Sequence, residues 1–240
     1  LEGVGDELFL RERSDDIVTF IKAILKNKSS DEPVILVRDV GVEVPIATQI
    51  FVYARNPQRI FSVIAAVLDK LQLSIQDARL QTSDDGHAFD VFYVLNDLGE
   101  TIGRDNVLCN TIINSLKAGI KNSDSVDMNI QRRTPRMLKH FALKTKVSIQ
   151  NHADSNTTAL EVVTPDRPGL LAHLASIFLR FGIILNNAKI ATLGERVEDV
   201  FYVTDDRQNP LTNAVFNISL QDAICAELDA RNQTDEHDLH

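Results

Sequence analysis

The sequence predicts an α+β protein built from two copies of one small module, each an antiparallel sheet with helices on one face. Residues 50–82 align with residues 160–192 at a single offset, because 160 − 50 and 192 − 82 both equal 110. The stretch Asp90–Val94 recurs as Asp199–Val203, where the offset is 199 − 90, or 109. Repetition at a fixed period indicates duplicated structural units. Each copy reads strand, helix, strand, strand, helix. This is the ferredoxin-like βαββαβ order, although the second copy has no evident final strand.

The bulk composition limits the classes of function. The chain has 240 residues, room for about two domains of ~100–150 residues each. Its formal charge of −9 argues against nucleic acid as a partner, because phosphate contacts need a basic surface. No apolar run approaches the ~18–20 residues needed to span a bilayer, so no membrane partner is expected. Cys109 and Cys225 form no CxxC pair and no secretory signal is present, which indicates a cytoplasmic location. Because the sequence begins without Met, we expect it to be a piece of a longer protein.

A short extension, residues 1–46, precedes the first copy. Ser14 is a candidate N-cap for a helix whose apolar positions follow the 3.6-residue period. Val34–Val37 is a short β-rich strand that follows a proline. We expect either this strand or Lys146–Gln150 to complete the second sheet, so that the two copies share one assembly.

Residues 47–130 form the first predicted module. Its elements are a strand at 49–54, a helix at 58–71, strands at 74–82 and 88–95, and a helix for which Asp105 is a candidate cap. Asp84-Asp85-Gly86 predicts the hairpin turn, because glycine supplies the positive φ that tight turns require.

Residues 131–145 form a predicted basic linker, and residues 146–230 form the second module. The elements of the second module are strands at 146–150 and 158–163, a helix at 168–181 that Gly182 ends, strands at 184–192 and 198–204, and a helix at 213–228. Residues 231–240 are expected to form a loose polar tail.

The turn Thr164–Leu171 is the strongest candidate site, because it leads into the first helix of the second copy. The first N–H groups of a helix lack partners and the helix dipole adds about half a positive charge, so a carboxylate binds favourably there. Asp166 can cap this helix or face a ligand ammonium group, and Gly169 allows close approach to the backbone. Such a turn can hold an α-amino acid, with Asn186 or Asn187 reading the side chain. An ordinary strand-to-helix turn explains the same residues equally well.

Other reactive side chains give no better alternative. The histidines show no HxxxH or HExxH spacing, so no metal site is predicted. Neither cysteine has a recognisable base, and no Walker or GxGxxG loop is present. Asp84-Asp85 and Asp205-Asp206 lie in predicted turns, where aspartate forms local hydrogen bonds. No catalytic residue is therefore predicted in this chain.

The duplicated pattern resembles the ACT domain, a small regulatory module that typically binds amino acids at interfaces between copies. From Asp6 onward the chain resembles the tandem ACT region at the C-terminal end of bifunctional uridylyltransferase/uridylyl-removing enzymes, which modify the nitrogen regulatory protein PII. The most specific stretches are residues 131–136, 138–141 and 187–201. The resemblance implies glutamine sensing that shifts the parent enzyme from attaching UMP to PII towards removing it. It also implies that transferase and phosphohydrolase chemistry, with its Mg²⁺, belongs to domains N-terminal to this piece, which itself needs no cofactor.

Both copies contribute candidate ligand-binding residues. In the second copy these are Asp166, Arg167, Gly169, Leu170, Leu171, Asn186 and Asn187, and in the first copy they are Asn56, Ile60, Phe61 and Ser74. The first copy departs from the pattern because Arg59 aligns with Gly169, so its turn is expected to bind more weakly or to serve packing only. Amino-acid-binding ACT modules often carry Asn near the start of the second strand, where this chain has Ile184 and Ser74.

The expected partners are L-glutamine, PII through the full-length enzyme, and a second copy of the chain through the ACT domains. RNA binding is an alternative, because RNA-recognition modules share the ferredoxin-like order, but the acidic charge disfavours it. A second alternative is a docking module for PII or for the enzyme's own catalytic domains. It would use Arg132, Arg133 and Arg136 as an electrostatic patch and bind no small molecule.

Overall fold

The computed structural model describes residues 13–27, 30–41, 44, 46–55, 57–83, 86–123, 143–151, 155–193 and 196–237. The chain divides into two compact units, residues 1–126 and 127–240. The helices are α1 (Ser14–Lys26), α2 (Pro57–Lys70), α3 (Asn106–Lys121), α4 (Leu170–Arg180) and α5 (Ala214–His237). The strands are β1 (Val34–Val40), β2 (Ala47–Arg55), β3 (Leu73–Arg79), β4 (His87–Asn96), β5 (Lys146–Asn151), β6 (Thr158–Pro165), β7 (Ile184–Lys189), β8 (Thr192–Leu193) and β9 (Arg196–Thr204).

The first unit contains an antiparallel sheet with the order β1-β2-β4-β3. Strand β1 pairs with β2 from Val34↔Tyr53 to Val40↔Ala47. The strand predicted within the extension at residues 1–46 is therefore part of the first unit's own sheet.

The second unit contains an antiparallel arrangement with the order β7-β9-β6-β5, and the short β8 also pairs with β9. Of the two strands that the sequence left open for this sheet, Lys146–Gln150 supplies the pairing, because β5 runs beside β6 from Lys146↔Val163 to Asn151↔Thr158. In both units, a strand that precedes the repeat occupies the place of the final ferredoxin-like strand. The predicted α+β, ferredoxin-like fold is confirmed.

Helices pack on both faces of the first unit's sheet. On one face, the Phe61 ring of α2 stacks on Phe92 of β4, with 6.2 Å between centroids. On the other face, Phe20 of α1 stacks on Phe51 at 4.2 Å and meets Phe89 edge-on at 5.9 Å. This second layer differs from the prediction of helices on one face only. It forms because β2 carries apolar residues at consecutive positions, which point to opposite faces of the sheet.

The second unit lacks the apolar surface on which α1 packs. Phe51 corresponds to Glu161 at the offset of 110, and Phe89 corresponds to Glu198 at the offset of 109. Burying two carboxylates under a helix would cost several kcal/mol each, at roughly the penalty for unpaired buried charges. The duplication has therefore kept the helix-facing core of the module and changed its other face.

Several predicted element ends are confirmed and others need correction. Asp105 caps α3, because its Oδ1 accepts the N–H groups of Val107 and Leu108 at 2.9 Å each. Ser14 is the first helical residue rather than the N-cap; the N-cap is Arg13, whose side chain forms no capping hydrogen bond.

The ends of α4 and α5 also differ from the prediction. Helix α4 begins at Leu170, two residues after the predicted start at Pro168. Helix α5 continues to His237, so the loose tail expected from residue 231 is wrong up to that point. Residues 229–237 contain no glycine or proline that would end the helix.

Some predicted features lie outside the described residues. These are Asn56, the turn residues Asp84 and Asp85, and positions 131–142 of the basic linker. Among the described segments, no helix is long and apolar enough to cross a bilayer.

Candidate functional site

The candidate site lies at the turn between β6, which ends at Pro165, and α4, which begins at Leu170. Gly169 is the N-cap residue of α4 and has a left-handed backbone with φ of +76°. As a glycine, this N-cap residue has no side chain with which to cap the helix. The first turn of α4 brings backbone N–H groups and the positive end of the helix dipole to this turn.

Arg167 holds the turn against the second helix of the unit. Its side chain is buried, and Nη1 donates a hydrogen bond to the carbonyl oxygen of Leu228 in α5 at 2.8 Å. Asp166 beside it is half-buried. The two neighbouring residues thus play different parts, because Arg167 is turned into the protein while Asp166 stays near the helix entrance.

Asp199 on β9 lies on the face of the sheet that carries α4. Phe201, two residues further on, contacts Phe178 of α4 at 5.2 Å between ring centroids, and alternate residues of a strand share a face. The side chain is 0% exposed. Its Oδ1 accepts the backbone N–H of Ala191 at 3.3 Å, whereas Oδ2 is buried and has no hydrogen-bond partner in the described structure.

The environment of Asp199 favours its neutral form. Burial is the main reason that the pKa of its carboxyl rises from the ordinary value to about 7. The hydrogen bond from Ala191 opposes this pKa shift, and the negative charge of Asp166 adds to it. The two carboxyl groups are therefore close enough to interact electrostatically beneath the turn.

Two leucines that were predicted to bind ligand belong to different environments. Leu170 is 5% exposed, so its side chain is part of the core, and its N–H donates to the carbonyl of Arg167 at 3.3 Å. Leu171 is half-buried. The Leu170 side chain is therefore not exposed at the turn, and the N–H of Leu170 is engaged within the turn.

The two predicted asparagines lie on the far face of the same sheet. Asn187 pairs with Tyr202, the neighbour of Phe201, so its side chain points away from α4. Asn186 occupies the bulge of β7, and its Nδ2 donates to Thr204 Oγ1 at 3.3 Å. The structure does not bring either asparagine together with the β6–α4 turn within this unit.

The first unit arranges its corresponding turn differently. Arg59 takes the position of Gly169, and its Nη1 donates to the carbonyl of Ser123 at 3.3 Å. Ile60 and Phe61 are 2% and 6% exposed, so both side chains serve the core.

Ser74, the fourth candidate in the first unit, lies far from that turn. It pairs with Leu95, whereas Arg55 at the end of β2 pairs with His87. The separation along β4 is 95 − 87, or 8 residues, which is about 26 Å at ~3.3 Å per residue. The structure therefore separates Ser74 from the turn.

Asp199 was missed as a site residue although the sequence contained a signal for it. Asp90 occupies the same place in the first copy, where its Oδ1 accepts the N–H of Gln81 at 3.3 Å. Burial raises the pKa of Asp90 well above its ordinary value as well. An acid at the same position of two apolar strands indicates a buried carboxylate, because alternation places it on the helix-facing side in both copies.

The turn combines a helix N-terminus with two carboxyl groups. The positive end of the α4 dipole favours an anion, and the two carboxyl groups favour a cation. The described residues include no group of three or more His, Cys, Asp or Glu side chains that could hold a metal ion.

The chain is similar in sequence to one protein family and to several known enzymes. Residues 158–217 match the ACT domain family. The chain is similar to the bifunctional uridylyltransferase/uridylyl-removing enzyme of Pseudomonas savastanoi pv. phaseolicola, at 42% identity over 98% of this chain and 26% of the relative. It is similar to the same enzyme of Azotobacter vinelandii at 45% identity, over 94% of this chain and 25% of the relative. A third match is that of Pseudomonas fluorescens strain SBW25, at 43% identity over 94% and 25%. The chain spans about a quarter of the length of these curated relatives.

Proposed function

We propose, since the chain carries an ACT domain at residues 158–217 and matches the C-terminal region of bifunctional uridylyltransferase/uridylyl-removing enzymes, that it is a regulatory region that senses L-glutamine. The ligand binds at the β6–α4 turn. Binding controls whether the parent enzyme attaches UMP to PII or removes it. The chain itself performs no chemistry, and the Mg²⁺-dependent steps belong to the parts of the relatives that it does not span.

One observation carries this proposal: α4 begins at Gly169, a residue without a side chain, next to two carboxyl groups, Asp166 and Asp199, whose charges interact. An α-amino acid brings a carboxylate and an ammonium group two bonds apart. Its carboxylate can accept from the N–H groups at the start of α4, where the helix dipole favours an anion. Its ammonium group can then donate to the neighbouring aspartates.

The second unit is the better binding unit because of its glycine. At Gly169 the backbone has positive φ, and no side chain occupies space at the helix entrance. In the first unit, Arg59 stands at that position and its guanidinium is engaged with Ser123. We therefore assign one glutamine site per chain, at the second unit.

Regulation by such a site needs little energy. A coupling free energy of about 1–3 kcal/mol between ligand and activity state changes an equilibrium roughly 5- to 150-fold. The affinity for glutamine can therefore be modest. Dimerisation through the ACT units, also proposed here, would let two such sites act on one assembly.

Calorimetry on the 240-residue chain tests the ligand, with L-glutamine, L-glutamate and 2-oxoglutarate as titrants. We expect glutamine to bind with the highest affinity and 2-oxoglutarate, which lacks an ammonium group, not to bind. Absence of glutamine binding to the folded chain at millimolar concentration would reject the proposal.

A pair of glycine variants tests the location. Gly169 and Gly182 both have positive φ, +76° and +65°, and lie at opposite ends of α4. Gly169→Ala and Gly182→Ala therefore introduce similar backbone strain, about 1–2 kcal/mol each. Only Gly169→Ala should abolish glutamine binding, and equal binding by both variants would place the site elsewhere.

A further inference from the structure

We propose that Asp199 binds the α-ammonium group of the ligand from beneath the turn, so that the site selects amino acids against their 2-oxo analogues. This inference rests on the amino-acid sensing proposed above and adds to it a residue that determines specificity. Three properties of Asp199 support it: its burial, its neighbours and its incomplete hydrogen bonding.

The burial of the Asp199 carboxyl group is only partly compensated by hydrogen bonds. A buried carboxyl group normally has hydrogen-bond partners for both oxygens, because an unsatisfied buried polar group costs about 1–3 kcal/mol. Here one backbone N–H, that of Ala191, serves Oδ1, while Oδ2 has no partner in the described structure. A donor that arrives with a ligand would satisfy Oδ2.

The carboxylate of Asp166 brings a second negative charge near Asp199. Two neighbouring carboxyl groups in a poorly solvated place cannot both ionise readily unless a cation joins them. Burial and the charge of Asp166 both raise the pKa of Asp199, in keeping with this arrangement. The site therefore favours a cationic group on its occupant.

The nearby cationic side chains are engaged elsewhere. Arg167 donates to the carbonyl of Leu228, Arg180 forms an ion pair with Glu227, and His173 Nε2 lies 3.5 Å from the other Glu227 carboxylate oxygen. Lys189 pairs across the strands with Val200, and the side chains of Val200 and Asp199 point to opposite faces.

The acidic groups on the strands beside Asp199 are also directed away. Glu198 precedes Asp199 on β9 and so points to the other face, where it pairs with Arg196. Glu161 precedes Val162, the cross-strand partner of Asp199, and points to that face as well. The negative charge of Asp166 is the one that helps burial to raise the pKa of Asp199.

An ammonium group fits this pair of carboxyls better than a 2-oxo group does. It carries three N–H donors and a positive charge, enough to reach Oδ2 of Asp199 and Asp166 together. A 2-oxo acid offers only an acceptor there and leaves Oδ2 of Asp199 without a donor. Sites built to bond a ligand N–H can reject analogues that lack it by factors of up to ~10⁴–10⁵.

Binding of the ligand should also change the protonation of Asp199. Near neutral pH, part of the Asp199 population carries a proton, because its pKa is about 7. When the ligand ammonium binds, the ionised carboxylate is favoured, so the O–H bond of Asp199 breaks and its proton passes to the solvent. No proton leaves the ligand itself. Glutamine binding should therefore release protons below neutral pH and few above it.

The test is calorimetry on the 240-residue chain in buffers of different ionisation enthalpy. For the wild type we expect release of close to one proton per glutamine at about pH 6 and close to none at about pH 8.5. We also expect 2-oxoglutaramate, the 2-oxo analogue of glutamine, to bind at least ~100-fold more weakly than glutamine. Asp199→Asn should lower the affinity for glutamine at least ~10-fold and remove the proton release. The ratio of the affinities for glutamine and 2-oxoglutaramate should also become smaller in this variant.

Asp90→Asn is the matched control, because Asp90 has the same burial and backbone bond in the unit that carries Arg59. It should leave both glutamine affinity and proton release as in the wild type. Asparagine at position 199 retains an oxygen for the Ala191 N–H, and circular dichroism checks that the variant is folded. If it is not folded, Asp166→Asn provides the readout, because removing the neighbouring charge should reduce proton release at about pH 6.

The outcomes separate this inference from the function on which it rests. Wild-type chain that does not bind glutamine overturns both. Wild-type binding that is lost in Gly169→Ala, combined with unchanged affinity and proton count in folded Asp199→Asn, overturns the role of Asp199 alone. Loss of proton release in Asp199→Asn but not in Asp90→Asn supports it.

Discussion

Arg167 ties the entrance of α4 to α5, since its Nη1 donates to the carbonyl of Leu228 at 2.8 Å. In the first unit, Arg59 makes the corresponding tie to Ser123 at 3.3 Å. The two arginines occupy different places in the turn, because Arg59 aligns with Gly169 at the offset of 110. In both copies an arginine of the turn donates to a backbone carbonyl, in α5 in the second unit and just after the end of α3 in the first. The shift leaves a glycine at the helix entrance only in the second unit.

Replacing Arg167 should destabilise the second unit. Arg167→Met keeps much of the side-chain volume and removes the bond to Leu228, so we expect a loss of about 1.5–3 kcal/mol in the free energy of unfolding. Urea denaturation followed by circular dichroism measures it. Arg59→Met is the comparison, and it should cost less than about 1 kcal/mol, because Arg59 is only partly buried. Equal losses would contradict a special role for the buried arginine.

Thr48 and Thr158 lie at corresponding positions of the two units, and the buried hydroxyl group of each forms hydrogen bonds with other segments. Thr48 Oγ1 donates to Asp39 Oδ1 and accepts the N–H of Ile102, both at 2.7 Å. Thr48→Val should cost about 1–3 kcal/mol, since it leaves a buried N–H and a carboxylate oxygen without that partner. Chemical denaturation measures the loss of stability.

Thr158→Val extends this prediction to the second unit, where Thr158 Oγ1 accepts the N–H of Leu211 at 2.7 Å. We expect a similar loss, again about 1–3 kcal/mol. Thr111→Val is the control for both variants, because the exposed Thr111 hydroxyl only bonds Val107 within its own helix. It should change stability by no more than about 0.5 kcal/mol. If Thr158→Val lowers the free energy of unfolding no more than the control does, the Thr158 hydroxyl does not contribute to stability.

Phe20 anchors α1 on the first unit's sheet through its stack on Phe51. Phe20→Ala should cost about 3–5 kcal/mol, as expected for a fully buried phenylalanine. Val18, on the same helix, is 48% exposed, so Val18→Ala should stay within about 0.5 kcal/mol. Thermal unfolding of both variants checks the difference. A small effect of Phe20→Ala would mean that α1 adds little to the stability of the unit.

Asp199 should make the stability of the ligand-free chain fall as the pH rises. Its pKa is about 7 in the folded chain and near 3.8 when unfolded, so the folded state holds an additional proton between these values. The stabilisation is complete below the unfolded pKa and is lost as pH rises through the folded pKa, at most on the order of a few kcal/mol.

Asp199→Asn tests this pH dependence. Urea midpoints at about pH 5 and about pH 8 should differ less for the variant than for the wild type, because asparagine does not titrate over this range. An unchanged pH dependence would show that Asp199 does not titrate near neutral pH in the folded chain. Asp90 titrates in the same direction, so part of the dependence should remain in the variant.

The fold was predictable because the relevant signals are local and occur twice. The 110-residue offset identified two modules, and the ends marked by Asp105 and Gly182 depend on residues within one turn of the helix. The partner of β1 was less predictable. Val34–Val40 and Lys146–Asn151 have similar strand propensity, and only the pairing with Tyr53 or Val163 distinguishes them.

The candidate site was predictable only in part. Gly169 and Asp166 were found because they stand together in the sequence, at the entrance of a helix. Asp199 is 33 residues from Asp166, since 199 − 166 is 33, and nothing local indicates that their charges interact. Asn187 was chosen for its chemistry, but strand alternation turns its side chain to the other face.

The sequence by itself determined the type and order of the main elements in each module, because side-chain periodicity and turn residues act between close neighbours in the chain. It did not predict that the strand expected at 184–192 is divided into β7 and β8. Only the tertiary structure decided which strand pairs with which, which face α1 covers, and that Asp199 comes to lie beneath the turn at Asp166. Those features depend on contacts between residues far apart in the sequence, and the burial that raises the pKa of Asp199 exists only once the sheet and α4 have packed together.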